Sequence, residues 1–285
     1  MPSILIAGCG YVGQATADLF QQAGWMVEGW TVSPESAAAL SEKSYRVIAR
    51  DATDPESVAT QAGAFDAIIQ CASSGGGSAE DYRRVYLRAA KNLMQAFPTA
   101  TLLFTSSTSV YAQCAGEWVD ERCPAEPTRE TAKVLRETEG FVLAHGGIVA
   151  RLAGIYGPGR SALVGKFLRG EAVAAIGKAR FVNYAHRDDI AAALFLLIER
   201  RTDLSGEKIY NVVDDSPLQL QTCHEWLART FERPLPVETV SEPERKRGAG
   251  NKRVSNAKLR ALGWRPRYPT FQIGMEKSVI PGWKS

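Results

Sequence analysis

The first thirteen residues constrain the fold of this chain more than any other segment. Residues 4–7 form a short apolar run, typical of a buried parallel strand, and Gly8, Gly10 and Gly13 follow it with the G-x-G-x-x-G spacing. A helix is predicted directly afterwards, over residues 11–23. A glycine-rich turn alone is weak evidence, but this strand, loop and helix in sequence predict the first βαβ unit of an α/β sheet.

Each glycine of this loop has a separate physical role. Gly8 permits the tight turn out of the strand, Gly10 lets the backbone approach a pyrophosphate, and Gly13 lets the helix pack against the strand. The first helical turn leaves backbone N–H groups unpaired at the positive end of the helix dipole, so Tyr11 and Val12 can donate to phosphate. The motif therefore predicts that a dinucleotide cofactor binds here.

The first half of the chain alternates short apolar strands with helices. Further strands are predicted at residues 26–30, 46–49, 66–70, 101–105, 148–152 and 208–213. Helices are predicted at residues 36–43, 54–61, 79–97, 128–145 and 188–200. This alternation produces right-handed crossovers and a parallel sheet with helices on both faces.

We therefore predict an α/β fold, a Rossmann-type doubly wound parallel sheet with a smaller, mixed C-terminal lobe. Residues 1–160, with 181–213 returning to them, are predicted to form the dinucleotide-binding domain. Residues 161–180 and 214–285 are predicted to form a small substrate-binding lobe.

Composition excludes several classes of function. The net charge of +3 is too small to indicate nucleic-acid binding, and the longest apolar run, residues 190–198, is too short to cross a membrane. The five cysteines are scattered without a C-x-x-C pair, which argues against a disulfide framework and a zinc site. Because the chain opens on a strand rather than a signal peptide, we expect a cytoplasmic protein. The scattered cysteines and histidines lead us to expect that it binds no metal.

Ligands of such sheets bind at the carboxyl ends of the strands, where the second strand normally ends in an acidic residue that binds ribose. This chain has no carboxylate there, since the segment reads Gly29-Trp-Thr-Val-Ser-Pro34. Thr31 and Ser33 can bond either to a ribose hydroxyl or to a 2′-phosphate. The choice between NAD and NADP stays open, with a slight preference for NADP.

The later strand ends form an ordered series. These segments are Asp51-Ala52 after the third strand, Cys71-Ala72-Ser73 after the fourth, and the runs 103–111, 151–159 and 210–215. Together they resemble the extended short-chain dehydrogenase/reductase family, which includes NAD-dependent epimerases and dehydratases of nucleotide sugars. The resemblance extends over nearly the whole chain.

The resemblance implies which residues hold the cofactor. The residues implied for the adenine amino group are Asp51 and Ala52. Those implied for the adenosine and ribose are Cys71, Ala72 and Ser73, and those that would face the nicotinamide carboxamide are Ala153, Gly154 and Ile155. It also implies a homodimer formed through the helices at 79–97 and 128–145.

The catalytic signature of the family is incomplete in this chain. The family places a Ser at the end of the fifth strand and a Tyr-x-x-x-Lys pair on the next helix. Ser107 matches the serine and Lys133 the lysine that holds the nicotinamide ribose, but Arg129 stands where the tyrosine is expected. Arginine stays protonated and cannot act as a base. A register shifted by two, with Thr131 before Leu135, loses the lysine as well.

Three interpretations follow from the missing tyrosine. Another tyrosine can supply the proton, with Tyr111 preferred and Tyr86 and Tyr184 as further candidates. Alternatively, Lys133 or a group on the substrate can do so, or the protein can bind its cofactor without turnover.

A basic loop at residues 245–253 supplies candidates for the substrate side. Lys252 and Arg253 precede a regular segment and are predicted to bind an anionic group such as the pyrophosphate of a nucleotide sugar. His186 precedes Asp188 and Asp189, either of which is expected to cap a helix, and the histidine itself is not expected to be catalytic.

The sequence thus predicts an NAD(P)-binding oxidoreductase or epimerase-like enzyme. Its substrate would be a small anionic molecule such as a nucleotide sugar, altered by hydride transfer. The alternatives are a catalytically silent NAD(P)-binding redox sensor or scaffold, and a structural protein without cofactor.

Overall fold

A computed structural model describes residues 1–60, 63–175, 180–239 and 250–283. Its strands, in chain order, are β1 (Ser3–Ala7), β2 (Met26–Thr31), β3 (Arg46–Ala49), β4 (Ala67–Gln70), β5 (Thr101–Ser107), β6 (Trp118–Val119), β7 (Ile148–Leu152), β8 (Gly154–Tyr156), β9 (Val173–Ala175), β10 (Phe181–Val182), β11 (Tyr184–His186), β12 (Ile209–Val212), β13 (Leu218–Gln219), β14 (Val237–Thr239) and β15 (Arg253–Val254).

The α-helices of the same residues are α1 (Tyr11–Gln22), α2 (Pro34–Ala38), α3 (Pro55–Ala59), α4 (Ala79–Tyr82), α5 (Ala89–Ala96), α6 (Glu130–Ala144), α7 (Ala162–Leu168), α8 (Arg187–Glu199), α9 (Leu220–Thr230), α10 (Ala257–Ala261) and α11 (Phe271–Gly274). A π-helical segment, Arg83–Arg88, joins α4 to α5, so the helix predicted over 79–97 is continuous with a local widening.

Seven of the strands form one parallel sheet in the order β12-β7-β5-β4-β1-β2-β3. Ile4 in β1 pairs with Val27 on one side and with Ala67 on the other. The winding direction reverses between β1 and β4, which opens a crevice at the carboxyl ends of these strands. The predicted Rossmann-type α/β fold is confirmed.

The central strands are apolar because both faces of the sheet are covered by helices. Ile4, Leu5 and Ile6 of β1 have no exposed surface, and neither have Ile190 and Leu194 of α8, which packs beside α1. The apolar run at 190–198 is therefore a core helix. Within the described residues, every helix is too short or too polar to cross a bilayer.

Two helix starts test the predicted caps. Asp54 caps α3, its carboxylate accepting the N–H of Glu56 at 3.1 Å, as predicted. The cap predicted for α8 was wrong, because the Nδ1 atom of His186 accepts the N–H of Asp188 at 3.1 Å. The carboxylate of Asp189 is instead occupied by two backbone N–H groups from the C-terminal segment.

A second, smaller core lies apart from the sheet. Its fully buried members are Tyr156, Val164, Phe167, Cys223, Leu227, Phe271, Met275 and Val279. Most of them belong to the segments assigned to the small lobe, 161–180 and 214–285. The domain boundaries themselves stay a prediction.

Candidate functional site

One large cleft, about 1420 Å³ in volume, opens at the carboxyl ends of the central strands. Within the described part of the chain its lining contains no aspartate or glutamate but four basic residues, Arg129, Arg160, Arg180 and Lys252. A cleft lined by one sign of charge concentrates ligands of the opposite sign. The cleft therefore suits an anionic ligand.

The glycine loop forms one wall of the cleft and requires its glycines. Gly8 has a φ of +105°, and a Cβ there would lie 2.2 Å from the backbone nitrogen of Ala72. A Cβ on Gly13 would lie 2.2 Å from the carbonyl oxygen of Gly8. A Cβ on Gly10 would meet nothing within 4 Å, so this position faces the open cleft. Gly8 and Gly13 are needed by the fold, whereas Gly10 leaves space for a ligand.

The residues around the start of α1 fit a pyrophosphate. Tyr11 and Val12, in the first turn, line the cleft beside Gly10. The guanidinium groups of Arg160 and Arg187 lie 5.1 Å from the centre of the Tyr11 ring, and Arg160 lines the cleft. Helix N–H groups and a neighbouring guanidinium are the donors that phosphate oxygens prefer. Sequence reasoning missed both arginines, although Arg160 directly follows the Gly157-Pro-Gly159 run.

The end of β2 contributes hydroxyl and apolar groups to the cleft. Thr31, Val32 and Ser36 line it, but Ser33 does not. The Ser33 hydroxyl caps α2 by accepting the N–H of Ser36 at 3.2 Å, which accounts for its position. The contact predicted between Ser33 and the cofactor is thus without support from the geometry.

The ends of β3 and β4 differ in their relation to the cleft. Asp51 and Ala52 lie outside its lining, and the Asp51 carboxylate accepts the N–H of Thr53 at 2.8 Å. A contact between Asp51 and adenine stays a prediction. Cys71, Ala72 and Ser73 do line the cleft.

Burial raises the pKa of the Cys71 thiol, and its sulfur donates to the carbonyl oxygen of Gly8 at 3.2 Å. This cysteine therefore stays a protonated thiol that supports the glycine loop.

The segment after β7 forms the opposite wall. Ala153, Gly154 and Ile155 line the cleft as predicted. The N–H of Gly154 donates to the carbonyl oxygen of Asn183 at 3.0 Å, which ties this wall to the segment between β10 and β11.

The structure places Ser107 in the cleft but Lys133 outside it. More than half of the Lys133 side chain is exposed, and its Nζ atom lies 2.7 Å from the carboxylate of Glu130. The geometry gives no support to the assignment of Lys133 to the nicotinamide ribose, which stays a prediction. Thr131 and Leu135 line the cleft instead.

A buried acid sets this register of α6. Glu139 has no exposed surface and accepts hydrogen bonds from Arg151, at 2.7 and 3.0 Å, and from the Ser106 hydroxyl, at 2.6 Å. Residues four and eight positions before Glu139 share its helix face, and these are Leu135 and Thr131. Thr131 and Leu135 carry no group that titrates near neutral pH, and their correspondence to the family's Tyr-x-x-x-Lys pair stays a prediction.

The candidate tyrosines occupy different environments. The Tyr111 hydroxyl is buried and donates to Asn211 at 2.9 Å, while the Arg151 guanidinium lies 4.8 Å from its ring. Burial raises the pKa of Tyr111, which also lines the cleft, and its assignment as the proton donor stays a prediction. Burial also raises the pKa of Tyr184. Tyr86 lines the cleft, where its hydroxyl accepts the N–H of Ser74 at 3.3 Å.

Lys252 and Arg253 point in different directions. Lys252 lines the cleft with 7% of its surface exposed, and its Nζ donates to the carbonyl oxygen of Tyr111 at 2.7 Å. Arg253 lies outside the lining, between the rings of Trp118 and Phe181, and donates to the Gly116 carbonyl. Its predicted substrate contact has no support from this geometry and stays a prediction. Residues 245–249 of the basic loop lie outside the described residues.

Metal binding and disulfide formation are two further kinds of chemistry open to these side chains. Within the described ranges no three His, Cys, Asp or Glu side chains come together as a metal site would require. All five cysteines carry free thiols.

Comparison with known proteins agrees with this geometry. The model of the NAD dependent epimerase/dehydratase family matches residues 4–212. A protein from Methylobacillus flagellatus, described as a proposed NAD-dependent epimerase/dehydratase, is 28% identical, with 97% of each chain covered and a TM-score of 0.77. No match was found among curated protein sequences.

Two more distant structures share the fold. The UDP-glucose 4-epimerase of Thermus thermophilus, solved with NAD, is 22% identical, with 96% of each chain covered and a TM-score of 0.76. That of Thermotoga maritima, solved with UDP-glucose, is 17% identical, with 97% of this chain and 96% of that chain covered and a TM-score of 0.80.

Proposed function

Because the chain belongs to the NAD dependent epimerase/dehydratase family, we propose that it is an NAD(P)-dependent oxidoreductase or epimerase acting on a nucleotide sugar. The observation that carries this proposal is the cleft itself. It combines a glycine loop at a helix N-terminus with four basic residues, and its described lining holds no carboxylate. Such a cleft favours two anionic ligands, a dinucleotide and a substrate with a phosphate group.

The cofactor is held mainly by the first βαβ unit. Gly10, with the N–H groups of Tyr11, Val12 and Gly13, contacts the pyrophosphate, and Arg160 closes over it from the opposite wall. The adenosine lies against Thr31 and residues 71–73. The nicotinamide lies against residues 153–155 and supplies or removes the hydride. Since no carboxylate stands at the end of β2, NADP is preferred over NAD.

The substrate occupies the end of the cleft near the small lobe. Arg129, Arg180 and Lys252 line this part of the cavity, and two guanidinium groups with an amine can neutralise a diphosphate. The family's structural neighbours support the class of ligand, since one of them was solved with UDP-glucose and another with UDP-glucose and NAD. Ser107 is the residue that binds the reacting oxygen of the sugar.

We also propose a cytoplasmic homodimer. The free state of all five cysteines fits a reducing compartment. The dimer contact is assigned to the helices at 79–96 and 130–144, which the exposed Arg83–Glu137 ion pair joins at 2.7 Å.

A second candidate function is a redox sensor or scaffold that binds NAD(P) without turnover. One observation favours it, the replacement of the family's tyrosine and lysine by Thr131 and Leu135. A sensor would signal through a change of oligomeric state or partner on cofactor binding.

Absorbance of the reduced nicotinamide distinguishes the two functions. The protein is mixed with NADP⁺ or NAD⁺ and with UDP-sugars one at a time, and the reverse reaction is run with NADPH or NADH and keto-sugar nucleotides. Bound cofactor that changes redox state with one of these substrates supports the enzyme. Because an epimerase returns the hydride to the sugar and regenerates its cofactor, the sugar nucleotides are also analysed by NMR. Normal cofactor binding with neither an absorbance change nor a changed sugar contradicts the enzyme and supports the sensor.

A further inference from the structure

The Lys252 amine joins the two parts of the cleft where hydride chemistry is proposed. Its Nζ donates to the carbonyl oxygen of Tyr111, at the end of the short turn that begins after Ser107. Its own carbonyl oxygen accepts the Asn183 amide at 2.9 Å, and the Asn183 carbonyl oxygen accepts the N–H of Gly154. The lysine is thereby held between the exit of β5 and the wall assigned to the nicotinamide.

We propose that Lys252 is the proton donor and acceptor of the reaction, in place of the absent tyrosine. The inference rests on the proposed function, because it requires hydride transfer in this cleft. It also gives Lys252 a role beyond attraction of an anion.

The proton and electron balance is simple. In the reducing direction, the substrate carbonyl carbon gains a hydride from the reduced nicotinamide, and the C=O π bond breaks. The carbonyl oxygen gains a proton from the Lys252 ammonium and becomes a hydroxyl, which leaves a neutral amine and an oxidised nicotinamide. In the oxidising direction, the neutral amine takes the hydroxyl proton as the hydride leaves. Water in the open cleft restores the starting protonation state.

The surroundings of Lys252 prepare it for both roles. The pKa of its amine is lowered to about 8, mainly by burial and also by the charge of Arg180, while Glu117 and Cys114 oppose the shift. An amine of this pKa exists in both protonation states near neutral pH, as general acid–base catalysis requires. Partial burial in an apolar wall with a single backbone acceptor is a known route to such a shift.

The other candidates are less suited to this role. The Tyr111 hydroxyl is occupied by Asn211, and Lys133 lies outside the cleft. Thr131 and Leu135 carry no group that titrates in this range. Tyr86 lines the cleft and is the competitor that the experiment must exclude.

Direct titration of the amine tests the proposal without turnover. Lysines of the full-length protein are ¹³C-dimethylated, and the NMR signal lost in Lys252→Arg is assigned to Lys252. We expect this signal to titrate near pH 8, with and without bound NADP⁺, well below the value of about 10.4 for a lysine in a model peptide. A Lys252 signal that titrates at the model-peptide value overturns the proposal.

Variant kinetics separate proton transfer from simple charge. With the UDP-sugar that gives turnover, Lys252→Met and Lys252→Arg should each lower kcat by about 10²–10⁴-fold. Arginine keeps the charge but cannot exchange the proton, so a Lys252→Arg variant within threefold of the parent overturns the proposal. The proposal is also overturned if Tyr86→Phe removes activity while both Lys252 variants retain it. Lys277→Met is the matched control, because this exposed lysine lies outside the cleft lining, and it should leave kcat unchanged.

Calorimetry distinguishes failure of this proposal from failure of the proposed function. Both Lys252 variants should bind NADP⁺ within about twofold of the parent. A parent that binds neither dinucleotide contradicts the proposed function itself and, with it, the role of Lys252.

Discussion

Glu139 and Arg151 form a buried, bidentate ion pair, with Oε2 and Nη2 2.7 Å apart and Oε1 and Nε 3.0 Å apart. The pair joins α6 to β7 in the centre of the molecule, where neither side chain is more than 2% exposed. Its position decides which face of α6 meets the cleft. Thr131 and Leu135 line the cleft, whereas Lys133 faces solvent.

Removal of one partner of this pair should be costly. Glu139→Ala leaves the Arg151 guanidinium charged and buried, which typically destabilises a protein by about 3–5 kcal/mol. We expect a corresponding loss in the free energy of unfolding measured with urea. The matched control is Glu137→Ala on the exposed face of the same helix, whose ion pair with Arg83 should contribute little. Equal losses in both variants would contradict the assigned register.

Different substitutions in the glycine loop should affect cofactor binding and folding stability separately. A methyl group at Gly10 meets no protein atom, so Gly10→Ala should keep the parent's thermal stability but weaken NADP⁺ binding by at least tenfold. A methyl group at Gly13 collides with the Gly8 carbonyl, so Gly13→Ala should lose about 1–3 kcal/mol of stability. Thermal unfolding and calorimetry on both variants check this. The account fails here if Gly10→Ala binds NADP⁺ as tightly as the parent.

The end of β2 predicts a switch of cofactor preference. Val32 lines the cleft and is 73% exposed, so an acidic side chain there is tolerated by the fold. A carboxylate at this strand end accepts the ribose hydroxyls of NAD and repels the 2′-phosphate of NADP. Val32→Asp should therefore raise the ratio of NAD⁺ to NADP⁺ affinity by about tenfold or more, measured by calorimetry. The uncharged Val32→Asn is the control, and an equal change in both variants would mean that charge is not responsible.

A buried histidine predicts how stability depends on pH. Burial lowers the pKa of His186 to about 4, and its Nε2 bonds to the Ser278 hydroxyl at 2.8 Å. Below pH 6.5 the unfolded chain binds a proton that the folded protein does not, so this group loses stability as the pH falls from 6.5 to 4. His186→Asn keeps a capping side chain without this titration. The difference in the free energy of unfolding between parent and variant should be about 2 kcal/mol smaller at pH 5 than at pH 7.5.

Asp189 also titrates in this pH range, so the parent must be compared with the His186→Asn variant at each pH. Burial raises the pKa of Asp189 to about 6, so its contribution to stability is lost as the pH rises from about 4 to 6, opposite to that of His186. The difference between parent and variant therefore isolates the histidine, which the pH curve of the parent does not. A difference in the free energy of unfolding between parent and His186→Asn that is the same at pH 5 and at pH 7.5 would refute the assignment to His186.

Local sequence patterns predicted the main strands and helices of this protein well. The apolar strands, the glycine loop and the Asp54-Pro55 helix start depend on neighbouring residues, and the structure has them where the sequence indicated. The register of α6 depends instead on Glu139 meeting Arg151 of β7, a contact between distant segments. The spacing of Arg129 and Lys133 alone therefore gave no indication that Lys133 lies outside the cleft lining.

Side-chain partners account for the other differences. Ser33 caps α2, His186 rather than an aspartate caps α8, and Arg253 lies between two aromatic rings. Each of these residues has several possible partners, and only the packed structure selects one. Arg160 was missed because nothing in the sequence alone indicates that the loop after β8 folds back over Tyr11.

Isothermal titration calorimetry of the protein with NADP⁺ and NAD⁺ in parallel, with Gly10→Ala beside the parent, tests the central claim most directly. We predict one dinucleotide per chain, tighter binding of NADP⁺ than of NAD⁺, and at least tenfold weaker binding by the variant. Absence of binding heat with either dinucleotide at several temperatures, or equal binding by parent and variant, would contradict the claim that this cleft holds a nicotinamide cofactor.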